Sequence, residues 1–237
     1  MKIEYEKTAL SIITLIAAGV SPNLFVIAQA GYAQLNDLAT NFLIPSLVII
    51  IAVLITGYIS GLRDLNSQIR NGILGGLAGT IGLEIVREAG FHLGGMPGDM
   101  PKLLGVLLLN QFAKGPDTLS NIAGWSYHFW NGASFGIIYS ILFGRGRKWS
   151  GILYALLIGV GFMVSPAVIA MGVGRFGSEF GIGFPVTVIL AHLAFGIILG
   201  RVVYKLNDEN ISMFSTLKKA LKRKPKTGSK VLRQAGN

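Results

Sequence analysis

The chain has 237 residues, 51% hydrophobic and only 14% charged, with no cysteine and a formal net charge of +10. A soluble domain carries about 25% charged residues, so this deficit, a mean hydropathy of +0.59 and several long apolar runs point to an integral membrane protein. The lack of cysteine excludes disulfides, iron–sulfur clusters and thiolate metal sites.

In chain order, the apolar runs predict six transmembrane helices over about 8–30, 41–62, 69–90, 124–144, 149–172 and 184–205. Backbone groups in hydrocarbon must be satisfied within the segment, and the short alternating strands of a barrel are missing, so the fold class is an all-α polytopic bundle. The first run ends in Ala28-Gln29-Ala30, which resembles a signal-peptidase site. Glu4 and Glu6 among the leading lysines, and Pro22 and Asn23 well before the cut, favour an uncleaved first span; cleavage would leave five. The third run is rich in glycine (Gly72, Gly75, Gly76, Gly79, Gly82) and ends in Glu84, Arg87, Glu88 and His92.

A turn-forming loop, Gly94-Gly95-Met96-Pro97-Gly98-Asp99-Met100-Pro101, follows. Segment 101–113 is apolar but too short to span, and reads as a re-entrant or interfacial helix started by Pro101. Trp125, Tyr127, Phe129 and Trp130 open the fourth run as an interfacial aromatic group. Pro166 and Pro185 interrupt backbone pairing in the fifth run and at the start of the sixth. Arg175 and Glu179 sit four apart in the glycine-rich loop between them. After Asn207 come eight Lys/Arg against Asp208 and Glu209. Residues 211–222 space Ile211, Phe214, Leu217 and Leu221 at helical intervals, which predicts an amphipathic helix on anionic lipid headgroups. The organisation is thus a bundle over 1–205 and a basic cytoplasmic tail over 206–237.

Lys and Arg in short loops set orientation. Arg63 and Arg70, then Arg145, Arg147 and Lys148, then Arg201, Lys205 and the tail all fall on one side if both termini are cytoplasmic. The expected location is the inner membrane, multi-pass, with the lipid bilayer and other membrane proteins as the expected partners; no nucleic-acid-binding fold is visible. His128-x3-Gly132-x3-Gly136 and His192-x3-Gly196-x3-Gly200 share one pattern, each after a glycine-rich run. They suggest a core over 69–205 of two related hairpins, with 1–62 as an added hairpin.

The ionisable residues of the apolar part gather toward the outer side. Charge in hydrocarbon is costly, so the gathering marks a candidate site. Glu84, Glu88 and His92 form a stripe at i, i+4 and i+8. With His128 and His192 they make a candidate ligand set for zinc, iron, manganese or copper, and Asp99, Arg87 and Asn131 would support it. His128 and His192 together are candidates for the axial ligands of one haem. The plainer alternative for Glu84 is an i,i+3 ion pair with Arg87, and for the histidines, hydrogen bonds between packed helices.

Gly75-Gly76-Leu-Ala-Gly79-Thr80, the Met96-Pro-Gly-Asp99-Met-Pro loop and the twin histidine–glycine helices resemble those of small bacterial and archaeal membrane proteins forming a family of unknown function. The resemblance covers roughly residues 70–205 and implies a membrane location and a multi-helix fold, with no activity attached. Three functional readings follow from the residues: a metal or haem protein for metal handling, redox or assembly work; a small-solute permease; and an accessory subunit of a membrane complex.

Overall fold

The structure, a computed structural model, describes residues 2–147, 149–207 and 212–214. The described residues contain helices and no strand. The helices are α1 (Lys2–Gln29), α2 (Leu35–Ile59), α3 (Arg63–His92), α4 (Met100–Leu108), α5 (Thr118–Phe143), α6 (Ser150–Val164), α7 (Pro166–Ala170) and α8 (Gly183–Leu206).

Three of them, α1, α2 and α8, are long and apolar enough to cross a membrane. The six runs of the sequence therefore divide into two kinds. α3 and α5 have the length, at 30 and 26 residues, but their apolar content is diluted by glycine, serine and polar side chains. The fifth run, expected as one helix over 149–172, is broken. α6 stops at Val164, Ser165 is extended at φ −72°, ψ 158°, and α7 begins at Pro166. A residue before proline is pushed out of the helical region, and proline suits the first turn of the next helix. Pro45 has a milder effect in α2: the residues before it, Ala39–Leu43, adopt a wider π turn.

α3 is the centre of the bundle. It packs against α5 on one side and α8 on the other, while α6 lies on α8, α1 and α4 on α5, and α2 on α1. The glycines of α3 divide between its two partners at helical spacing. Gly72 and Gly76 face α5: a Cβ at Gly72 would lie 2.6 Å from Ile137 Cα, and one at Gly76 would meet the Gly132 carbonyl. Gly75, Gly79 and Gly82 face α8, where a Cβ would meet Val203, Phe195 and Ile198. α6 and α8 make a similar backbone contact through Gly151, Gly196 and Gly200. Such small-residue faces let helix backbones touch.

Polar groups fasten the ends. Asn71 Nδ2 donates to Leu206 O (2.9 Å) and Asn207 Oδ1 (2.8 Å), and Asn207 Nδ2 donates to Ser140 Oγ (3.2 Å). At the start of α5, the backbone N–H of Ser120 donates to Asp117 Oδ1 and that of Asp117 donates to Ser120 Oγ, a reciprocal cap. The bond from Ser120 holds the Asp117 carboxyl below the ordinary carboxylate range. The short helix expected near 101–113 is α4. The expected amphipathic helix over 211–222 lies outside the described residues apart from 212–214, where Phe214 packs edge-on against Phe143. Arg175 and Glu179 form no ion pair with each other in the described residues.

The outward faces of the helices carry large aliphatic side chains, among them Ile51 and Ile55 on α2, Ile81 and Ile85 on α3, Leu157 on α6 and Leu190 on α8. An apolar exterior of this extent is foreign to soluble monomers.

Gly76→Leu is expected to destabilise the protein by about 3 kcal/mol or more, since overpacking costs about 1–3 kcal/mol even where side chains rather than backbone must yield. Gly19→Leu, where a Cβ meets nothing within 4 Å, is the matched control and should stay near the parent. Thermal unfolding of the detergent-solubilised proteins measures the difference.

Candidate functional site

The site begins at the C-terminal end of α3. Gly94, at φ +76°, closes that helix: its N–H donates to Phe91 O and the N–H of Gly95 donates to Gly90 O. This αL residue turns the chain sharply, and the following loop carries Asp99 back toward Arg87.

Arg87 organises the charges. Its Nε donates to both carboxylate oxygens of Glu84 at 2.9 Å, and its Nη2 lies 2.8 Å from Glu84 Oε2 and 3.0 Å from Glu88 Oε2. Asp99 Oδ1 is 3.7 Å from the same nitrogen. Arg87 and Glu84 are only 4% and 8% exposed, so the pair is buried. Glu84 Oε1 also accepts from His128 Nε2 at 2.9 Å, which joins α3 to α5. Farther out, Glu88 pairs with the exposed His92 at 3.3 Å and Asp99 with Lys102 at 3.2 Å. The i,i+3 pairing open to Glu84 and Arg87 is thus present, with three acids around one guanidinium.

The expected ligand set does not close into one shell. Glu84 and His128 come together, Glu88 and His92 form a separate outer pair, and His192 stands on α8 with Nδ1 donating to the Val188 carbonyl at 2.8 Å. Among the described residues no three His, Asp or Glu side chains form a metal-ligand group. Asn131 joins α5 to α1: its Oδ1 accepts from Ser21 Oγ at 2.6 Å, and Tyr127 Oη donates to Ser21 O at 2.8 Å.

Arg87, His128 and His192 instead share a cavity of about 430 Å³. Its walls come from α1, α3, α4, α5, α6 and α8, and four phenylalanines (Phe25, Phe135, Phe162, Phe195) contribute to them. A second pocket, lined by Asp99, shares Met96 and Met100 with the first. Two buried polar atoms on the cavity-lining residues have no hydrogen-bond partner: Arg87 Nη1 and Ser165 Oγ. Sequence reasoning missed Ser165 and the phenylalanines. Ser165 carried a signal, the helix break before Pro166; the phenylalanines carried none, because only tertiary packing brings them to one space.

A family model described as a family of unknown function (DUF6789) matches residues 66–213. The chain belongs to this family. No curated protein and no solved structure matches it. The family match includes α4 to α8 and all of α3 beyond its first turn, so it holds the whole Glu84–Arg87–His128 cluster and His192. α1 and α2 lie outside it.

Arg87→Met strips the buried Glu84 carboxylate of its guanidinium and should cost about 3–5 kcal/mol; Glu84→Leu leaves Arg87 beside Glu88 and Asp99 and should cost less. The double variant should lose clearly less than the sum, and a double-mutant cycle in reversible denaturation measures the coupling.

Proposed function

We propose that the protein is a polytopic inner-membrane permease for a small, largely apolar solute, with the cavity between α1, α3, α4, α5, α6 and α8 as its binding site. The observation that carries the reading is the shared wall of that cavity. An apolar space within the roughly 300–1,000 Å³ range of small-molecule sites meets a few convergent polar groups there: Arg87, His128 and His192.

The membrane setting draws support from the three apolar helices and the aliphatic exterior. In this reading the chain crosses six times, through α1, α2, α3, α5, α6–α7 and α8, with both termini cytoplasmic as the Lys/Arg bias directs. The broken α6–α7 element fits a transport site, where interrupted helices border the substrate. The hydrogen bond between His128 and Glu84 lies at the cavity wall, so a proton exchanged there is the natural coupling ion. Met96 and Met100 line both the second pocket and the cavity, and Asp99 lines the second pocket, which puts them on the expected solute path.

A metal or haem has less support. Among the described residues no three of the candidate ligands converge on one point, and His128 Nε2 is taken up by Glu84. The accessory-subunit reading loses its main argument, because the glycines of α3 that would dock a partner face α5 and α8.

The chain has no cysteine, so single cysteines report cavity access directly. Gly161→Cys and Ala191→Cys should react with a membrane-impermeant maleimide in both right-side-out and inverted vesicles, as alternating access requires. Labelling from one side only, or from neither, would replace the permease by a static binding protein or a structural subunit.

A further inference from the structure

We propose that the cavity takes an uncharged aromatic hydroxyl compound, of the phenol or quinol class, held by His192 as hydrogen-bond acceptor and Arg87 as donor. The inference rests on the cavity being the solute site.

The two histidine–glycine helices show why His192 is free for this. His128, Gly132 and Gly136 of α5 correspond to His192, Gly196 and Gly200 of α8. Gly72, Gly76 and Thr80 of α3 correspond to Gly151, Ala155 and Gly159 of α6. The contacts follow this register. Gly76 meets Gly132 and Gly72 meets Gly136 in the first hairpin; Ala155 meets Gly196 and Gly151 meets Gly200 in the second. One turn farther along, α3 places Glu84, the partner of His128, and α6 places Met163. The second unit therefore offers its histidine no carboxylate. His192 turns to its own helix and donates Nδ1–H to the Val188 carbonyl. A carbonyl only accepts, so Nδ1 carries a proton; with no carboxylate beside it to hold a second one, the ring is neutral and keeps a lone pair on Nε2. His192 lines the cavity.

The donor side is equally specific. Arg87 Nη1 is buried and has no partner, and an unsatisfied buried N–H of this kind calls for an acceptor. Glu84, Glu88 and Asp99 already face that guanidinium. An incoming anion would add to an existing surplus of negative charge, so the acceptor is a neutral oxygen. Ser165 Oγ, also without a partner, offers one more hydroxyl. A neutral hydroxyl gives a proton to His192 and accepts from Arg87 or Ser165, while the four phenylalanines supply edges and faces for an aromatic ring.

The test uses the full chain in lipid nanodiscs and three probes that differ only at the head: 4-butylphenol, 4-butylanisole and 4-butylbenzoate. Gly161→Phe is the filled-cavity reference, since a Cβ at that cavity-lining position meets nothing within 4 Å. Against it, the phenol should bind saturably and about tenfold tighter than the anisole, which lacks the hydroxyl proton. His192→Phe should abolish that preference, and His192→Gln, whose amide oxygen still accepts, should keep part of it. Equal binding of phenol and anisole, or a preference untouched by His192→Phe, overturns the proposal. Tightest binding by the benzoate overturns it in favour of an anion site and leaves the cavity as the solute site. Binding of none of the three above the Gly161→Phe level overturns both.

Discussion

Everything in this bundle depends on how closely two helices approach α3. Its two glycine faces, Gly72 and Gly76 toward α5 and Gly75, Gly79 and Gly82 toward α8, put neighbouring helices within backbone contact. Where helices sit in lipid, no hydrophobic force drives them together, and dispersion between touching backbones takes its place. The cost appears in the composition of α3. A helix that gives its surface to glycine is no longer apolar enough to read as a membrane span, although its 30 residues exceed the length required.

The same arrangement makes both the buried charge and the cavity. The glycine contacts hold α3, α5 and α8 together along most of their length. Beyond Gly82 the glycine run gives way to Glu84, Arg87 and Glu88, and α3 meets α5 through side chains, while Gly90 keeps α3 close to Thr187 of α8. A buried guanidinium there requires acids at hydrogen-bonding distance, and α3 itself supplies two of them one turn or less away. Interior charge of this kind seldom stabilises a fold relative to apolar packing. Its retention on the wall of a cavity is easier to understand as a cost borne for binding than as a structural fastening.

Much of this was legible in the residues. The apolar runs located every long helix, Pro101 marked α4, and the i,i+3 spacing of Glu84 and Arg87 is sufficient for their ion pair. The gathering of Glu84, Glu88, His92 and Asp99 at the C-terminal end of α3 was also visible, because helical spacing and chain order bring them there. What spacing does not fix is which faces of different helices look at one another. His192 shares an approximate depth with Glu84 but stands on α8, and its ring is turned to Val188. The cavity depends on α1 packing against α5 through Ser21, Asn131 and Tyr127, a contact between residues more than 100 positions apart with no local signature. The break between α6 and α7 lies between these cases: Pro166 announces a disturbance, and the extended Ser165 is its outcome.

The relation between the two hairpins explains how a single chain reaches two different imidazoles. Read as a repeat, the two helix pairs place His128 and His192 over similar glycine-lined faces. Among the positions that differ, the one that decides the histidine's partner has Glu84 in α3 and Met163 in α6. The carboxylate holds His128 in a fixed hydrogen bond within an ion-pair network. The thioether leaves His192 to its own backbone, with one nitrogen free of protein partners. Symmetric units would offer a ligand two like ends. The exchange of one acid for methionine instead sets a charged, closed network beside a neutral, open acceptor, and an asymmetric cavity of that kind distinguishes the two ends of a bound molecule.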